Sequence, residues 1–157
     1  MNIEEIMTRD VTTCTPEDTV LEAALKMKRC NCGLIPVVES STEKNVVGVI
    51  TDRDIACRVV AAGEDPGEVK VGAVMSRDTV TIYYQASFNA GLRLMVENSV
   101  RRLIVTDGTG ELIGVVSLTD MASAVDPSRI GEAVQKISRQ REESESYQIE
   151  TRSSGGR

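Results

Sequence analysis

Histidine and tryptophan are missing from this 157-residue sequence, and other aromatic residues are scarce, with one Phe and three Tyr. Without histidine there is no Ser–His or Cys–His pair and no imidazole base or metal ligand. Carboxylate pairs such as Asp52 and Asp54 stand without such company, so no catalytic residue is expected. So few rings give no stacking platform for single-stranded nucleic acid. No apolar run reaches the roughly 18 residues of a membrane helix, and no secretory leader pattern opens the chain. A cytoplasmic protein off the membrane is expected. A basic excess is also lacking. The net charge is −6, and residues 1–127 hold 12 basic and 19 acidic side chains. Such a surface repels nucleic-acid phosphates, so an anionic ligand would need a local basic pocket. Four cysteines are present, Cys14, Cys30, Cys32 and Cys57. Cys30-Asn31-Cys32 is not the CxxC of a zinc site. A metal would need Cys14 and Cys57 to converge on it, and the plainer expectation is four reduced thiols acting as small apolar residues, with no metal.

What the chain does have is a duplication. Met7-Thr8-Arg9-Asp10 returns as Met75-Ser76-Arg77-Asp78, and Val46-Val47-Gly48-Val49-Ile50-Thr51 returns as Leu112-Ile113-Gly114-Val115-Val116-Ser117. The offset is 68 early in the repeat and 66 later. A unit of about 60 residues alone buries only about 60% of its unfolded surface, so two units packed together are favoured. Pseudo-symmetry also duplicates any site and sets a cleft between the copies.

Each copy reads β-α-β-β-α. In the first, Val11 to Cys14 is a short strand, and Thr15 is expected to cap a helix with Pro16 in its first turn and Asp18 at the capping-box position. Val20, Ala23, Ala24 and Met27 then share one helical face. Leu34–Val38 and Val46–Ile50 form a hairpin around the polar loop 39–45, and Thr51 opens a helix running to about Ala62. The second copy follows with Val80–Ile82, Ala86–Glu97, Leu103–Thr106, Leu112–Val116 and Leu118–Val125; its hairpin loop is two residues shorter, which changes the offset. Ile3, Ile6 and Met7, like Val71, Val74 and Met75, suggest a short amphipathic turn leading into each copy. The expected division is 1–66, 67–127 and 128–157, the last a helix to about residue 141 and then a disordered tail. The stripe Ile130, Ala133, Val134 and Ile137 covers the chain's own core or makes a dimer contact.

The sharpest local match is Gly48-Val49-Ile50-Thr51-x-x-Asp54 with Gly114-Val115-Val116-Ser117-x-x-Asp120. Each falls at a strand-to-helix junction. A glycine there lets a backbone or flat ligand approach, a hydroxyl at a helix start suits phosphate, and a carboxylate three residues on can accept from a ribose diol. The same spacing is a capping box, which needs no ligand. The residues alone leave both readings open.

With Met7-Thr8, Gly33-Leu34-Ile35-Pro36-Val37-Val38 and their counterparts Met75-Ser76 and Leu103-Ile104-Val105-Thr106, these motifs resemble a tandem pair of CBS domains, or Bateman module, over about Ile3 to Val125. The resemblance implies an α/β (α+β) fold in which two β-α-β-β-α repeats pack sheet to sheet about a pseudo-twofold axis. It implies regulation through an adenosyl ligand (AMP, ADP, ATP, S-adenosylmethionine, NAD or cyclic di-AMP) in the inter-repeat cleft, with no prosthetic group. Thr51, Asp54, Ser117 and Asp120 would bind ribose and phosphate. Backbone at Val11, Thr12, Thr13, Leu34, Ile35 and Pro36, and at Thr79, Val80 and Thr81, would line adenine. Arg53, Arg101 and Arg102 are either phosphate contacts or solvated arginines. A homodimer and an unidentified protein partner are implied, with neither nucleic acid nor membrane. The competing expectation is a ligand-free scaffold for dimerisation or docking. The second copy departs from the pattern by carrying Ile104 where the first has Pro36.

Overall fold

A computed structural model describes the backbone of residues 1–153 and the side chains of residues 1–143. The elements, in order, are a 3₁₀ turn Ile3–Glu5, α1 (Val20–Cys30), β1 (Leu34–Val38), β2 (Val46–Thr51), α2 (Asp52–Ile55) continued by a π-helical turn Ala56–Val60, α3 (Val71–Val74), β3 (Thr81–Tyr83), α4 (Phe88–Glu97), β4 (Arg102–Thr106), β5 (Leu112–Ser117), α5 (Leu118–Ala124) and α6 (Ser128–Ser153). This is the mixed α+β architecture expected. β1 and β2 pair antiparallel, and β3, β4 and β5 form a second sheet in that order, β3 running parallel to β4.

The chain folds into two compact units that cut across the repeat boundary. One gathers Met1–Met7, Gln85–Leu103 and the described residues from Val116; the other gathers Thr8–Tyr84 and Ile104–Val115.

In the unit holding Thr8–Tyr84, Val20, Ala23 and Met27 of α1 turn inward onto Ile35, Val37 and Ile50 of the hairpin. Pro36 has no N–H to give, but its carbonyl accepts the Cys14 amide at 3.0 Å. That bond and the return from Val38 make Cys14 a one-residue parallel bridge where a strand over Val11–Cys14 was expected. The lead-in to the second copy packs here, on the first copy. The Val71 amide donates to Asp18 (2.8 Å) and the Gly72 amide to the Pro16 carbonyl (2.9 Å). Those bonds explain why α1 does not begin at Thr15. Carbonyls 16 and 18 point at the lead-in, so Thr15–Asp18 is a turn, and the helix starts one turn later under a capping box of Thr19 and Glu22. The helix expected from Thr51 to Ala62 is regular only to Ile55. The Ala61 amide then reaches the carbonyl of Ala56, five residues back, which widens the turn. Asn31 ends α1 in the left-handed conformation (φ 50°), with Cys32 N–H donating to Met27. That bend sets Cα30 and Cα32 5.3 Å apart, within disulfide reach, and Cys30 and Cys32 are joined rather than reduced; Cys14 and Cys57 are free.

In the unit holding Met1–Met7, the same devices recur. The first copy's lead-in docks on the second copy: Ile3 N–H donates to Ala86 (2.9 Å), the counterpart, 68 residues displaced at each end, of Val71 to Asp18. Ser87, the counterpart of Thr19, caps α4. Ser99, the counterpart of Asn31, is left-handed (φ 53°), and Val100 N–H donates to Met95. α4 packs against α5 and α6. Ile130, Ala133 and Ile137 of α6 are buried within the unit and cover the chain's own core, while Val134, the fourth residue of the stripe, is exposed. Helical backbone continues to Ser153, beyond the expected end near residue 141. The expected tail's last residues, 154–157, lie outside the described ones.

Candidate functional site

Both strand-to-helix junctions form the capping boxes their spacing allows. At the first, Thr51 N–H donates to Asp54 Oδ2 (3.0 Å) and Asp54 N–H to Thr51 Oγ1 (3.1 Å). Asp54 Oδ1 faces Arg58 Nε at 3.8 Å, and the same arginine donates from Nη1 to the Val74 carbonyl at 2.8 Å. At the second junction, the Ser117 amide and hydroxyl donate to Asp120 Oδ2 at 2.7 and 2.6 Å, and the Asp120 amide returns to Ser117 Oγ at 3.1 Å. Each box uses Oδ2 and leaves Oδ1 outside the cap. Gly48 is explained by the backbone: a β-carbon there would stand 2.6 Å from the Ser76 carbonyl oxygen, because Val49 and Ser76 exchange two hydrogen bonds of 2.9 Å.

The second junction opens on a cavity of about 410 Å³ lined by Arg101, Arg102, Ser117, Leu118, Thr119, Ala122, Ile130 and Val134. Two arginines and two hydroxyls meet four apolar side chains, with no carboxylate in the lining. Such a volume lies in the small-molecule range, and the lining suits a molecule with an anionic end and an apolar body. The Leu118 amide holds the Arg101 carbonyl at 2.8 Å, and Arg101 Nη2 reaches Ser138 Oγ of α6 at 3.3 Å. Of the residues singled out in the sequence, Arg101, Arg102 and Ser117 thus share one wall, with Asp120 bonded to Ser117. The α6 wall was not foreseen. Its signal was the Ile130/Val134 pair, one helical turn apart, whose partner the sequence does not name.

Arg53 is exposed. Val11, Thr12 and Thr13 are half-buried irregular chain, and the Thr13 carbonyl accepts from Lys26 Nζ at 3.0 Å. Leu34, Ile35 and Pro36 lie in β1, with Ile35 wholly in the core. Thr79 and Val80 are half-buried and Thr81 begins β3. The Thr79 hydroxyl is buried without a hydrogen-bond partner among the described residues. Burial pushes the Cys14 thiol up to about 11, against the pull of Lys26, so it carries no thiolate at neutral pH. Among the described residues no three acidic or thiol side chains gather in a way that could hold a metal ion.

The CBS domain model matches residues 3–61 and again 71–127. The chain belongs to the CBS-domain family, as a tandem pair. It is 39% identical to the CBS domain-containing protein YhcV of Bacillus subtilis over 140 residues, 88% of this chain and 96% of that one. The crystal structure of Hypoxic Response Protein I with two coordinated zinc ions is 29% identical, with a TM-score of 0.72, over 80% of this chain and 99% of that one. The crystal structure of CBSX2 in complex with AMP shares the fold (TM-score 0.67, 23% identity), over 78% of this chain and 94% of that one.

Proposed function

We propose that this CBS pair is a regulatory module that binds an adenosyl ligand and passes its occupancy to a protein partner. The observation that carries the reading is the cavity at the second junction, where Arg101, Arg102 and Ser117 stand ready for phosphate and Leu118, Ala122, Ile130 and Val134 offer an apolar wall. Asp120 is not in that lining but is bonded to Ser117, which is; its Oδ1, outside the cap, is the acceptor for a ribose hydroxyl at the cavity's edge. AMP, the ligand of the CBSX2 crystal, heads a candidate set that includes ADP, ATP, S-adenosylmethionine, NAD and cyclic di-AMP. On this reading Thr51 and Asp54 mark the related junction, and no step of covalent chemistry is assigned. The module works as a cytoplasmic homodimer whose ligand shifts a conformational equilibrium by binding one state more tightly. A second reading, a ligand-free scaffold, is favoured by both capping boxes, in which Thr51 with Asp54 and Ser117 with Asp120 already bond one another within the chain.

A thermal-shift panel with these six compounds separates the two readings, since a ligand of the native state raises its apparent stability. A rise with at least one, lost in Asp120→Ala, supports the sensor. No response to any at millimolar concentration supports the scaffold.

A further inference from the structure

The two junctions share a backbone and differ in charge. The Leu118 amide donates to the Arg101 carbonyl at 2.8 Å, and the Asp52 amide donates to the Gly33 carbonyl at 3.0 Å. Residues 33 and 101 correspond by the early offset and residues 52 and 118 by the later one, so these two bonds are one bond, made twice. The side chains beside it are exchanged. Where the second copy has Arg101, Arg102 and Leu118, the first has Gly33, Leu34 and Asp52. The Asp52 carboxylate turns toward Gly33. A β-carbon on residue 33 would lie 2.8 Å from its Oδ2, so the acid occupies the direction in which the arginine stem grows in the other copy. Its Oδ1 accepts from the Arg53 amide at 2.8 Å. Arg53 stands where the second copy has Thr119, so the corresponding positions carry one acid and one base in the first copy but two arginines and no acid in the second.

We propose that the pair is charge-selective between its copies: the cavity at Ser117 takes a phosphate-bearing adenosyl ligand, and Asp52 bars phosphate from the Thr51 junction. The chain therefore holds one phosphate-bearing nucleotide. Asp52 acts through repulsion. A carboxylate close to a phosphate dianion disfavours it even near water, and more strongly at the lower effective dielectric of a protein surface; with Gly33 and Leu34 in place of the arginine pair, the first junction sets Arg53 and Arg58 against Asp52 and Asp54, a balance of zero, where the second sets Arg101 and Arg102 against Asp120 alone. This inference rests on the sensor reading above and sharpens it to a stoichiometry.

Titration calorimetry of the full chain with AMP tests it. One AMP per chain is expected. The double variant Arg101→Ala/Arg102→Ala should weaken that binding about tenfold or more, on the scale of a lost charged hydrogen bond. Asp52→Leu, which copies the second junction's own residue at an exposed position, should add a second AMP; Asp52→Asn, the milder change, should raise first-junction affinity in the same direction. Two equivalent AMP molecules on the unaltered chain would overturn the inference and leave the sensor reading standing. So would a single AMP indifferent to the arginine pair, or Asp52 variants that still bind only one. No binding of AMP, ADP or ATP at millimolar concentration overturns the inference; if S-adenosylmethionine, NAD and cyclic di-AMP also fail, the sensor reading falls with it.

Discussion

The carbonyl oxygen of Ser76 stands 2.6 Å from the point where a β-carbon on Gly48 would sit. Closer than any ordinary contact, this approach accounts for a glycine inside β2, and it is made by the stretch just after α3. The hydrogen bonds between Thr8 and Val115, at 2.8 and 3.0 Å, repeat it at the symmetric position. Gly48→Ala should therefore cost about 1–3 kcal/mol, the range for overpacking a filled site. Gly131→Ala is the control: it lies in α6 with nothing within 4 Å of its would-be β-carbon, and should gain up to about 1 kcal/mol of helix stability. Urea unfolding of both variants checks the opposite signs.

Removing a cap separates fold from ligand. Thr51→Ala should lower stability by about 0.5–2 kcal/mol through loss of the bond from the Asp54 amide. Ser117→Ala should do the same and also weaken any ligand seated in the cavity it lines. Denaturation measured with and without AMP compares the two: under the charge-selective proposal, only the Ser117 variant narrows the ligand-induced gain.

The buried stripe of α6 makes the C-terminal helix part of the fold. Ile137 is fully buried in the unit formed with α4 and α5, so Ile137→Ala should cost about 2–5 kcal/mol. Thermal unfolding checks this, and the loss should be independent of protein concentration, since Ile137 is buried within its own chain.

Acid should loosen the turn before α1. Lys26 Nζ lies 2.9 Å from Asp18 Oδ2 and also bonds the Thr13 carbonyl. Burial alone would raise the Asp18 carboxyl, but the hydrogen bonds from Lys26 and the Thr15 amide outweigh it and hold the pKa below 3.8. A depressed folded pKa contributes stability that is present above the unfolded value and lost as pH falls through the folded one. Asp18→Asn should thus cost about 1 kcal/mol at neutral pH. The gap to the unaltered protein should close as the pH is taken below the carboxylate range, which chemical denaturation along a pH series will measure.

The repeat was legible because its punctuation is local. Gly48, Thr51 and Asp54 carry their meaning within seven residues, and β1 falls where its apolar run falls. The start of α1 was not legible for a reason of competition. Thr15-x-x-Asp18 and Thr19-x-x-Glu22 are both hydroxyl-and-acid boxes, and the choice is made by Val71 and Gly72, over fifty residues away, which claim the carbonyls of Asp18 and Pro16. The cavity at Ser117 was half legible. Arg101, Arg102 and Ser117 stand out in the sequence, but the α6 wall depends on where Ile130 and Val134 come to rest. The Cys30–Cys32 bond turns on a left-handed Asn31, which residue identity permits without requiring it.

The traded lead-ins give the duplication a consequence for its history. A primitive single-copy chain would carry a docking groove that its own opening turn does not fill, and a twin would supply the missing turn. Joining two such chains end to end would preserve the embrace and only add a tether. Cutting the present chain in the tether, Gly63-Glu64-Asp65-Pro66-Gly67, should therefore yield halves that reassociate, which size-exclusion chromatography of the cleaved protein checks.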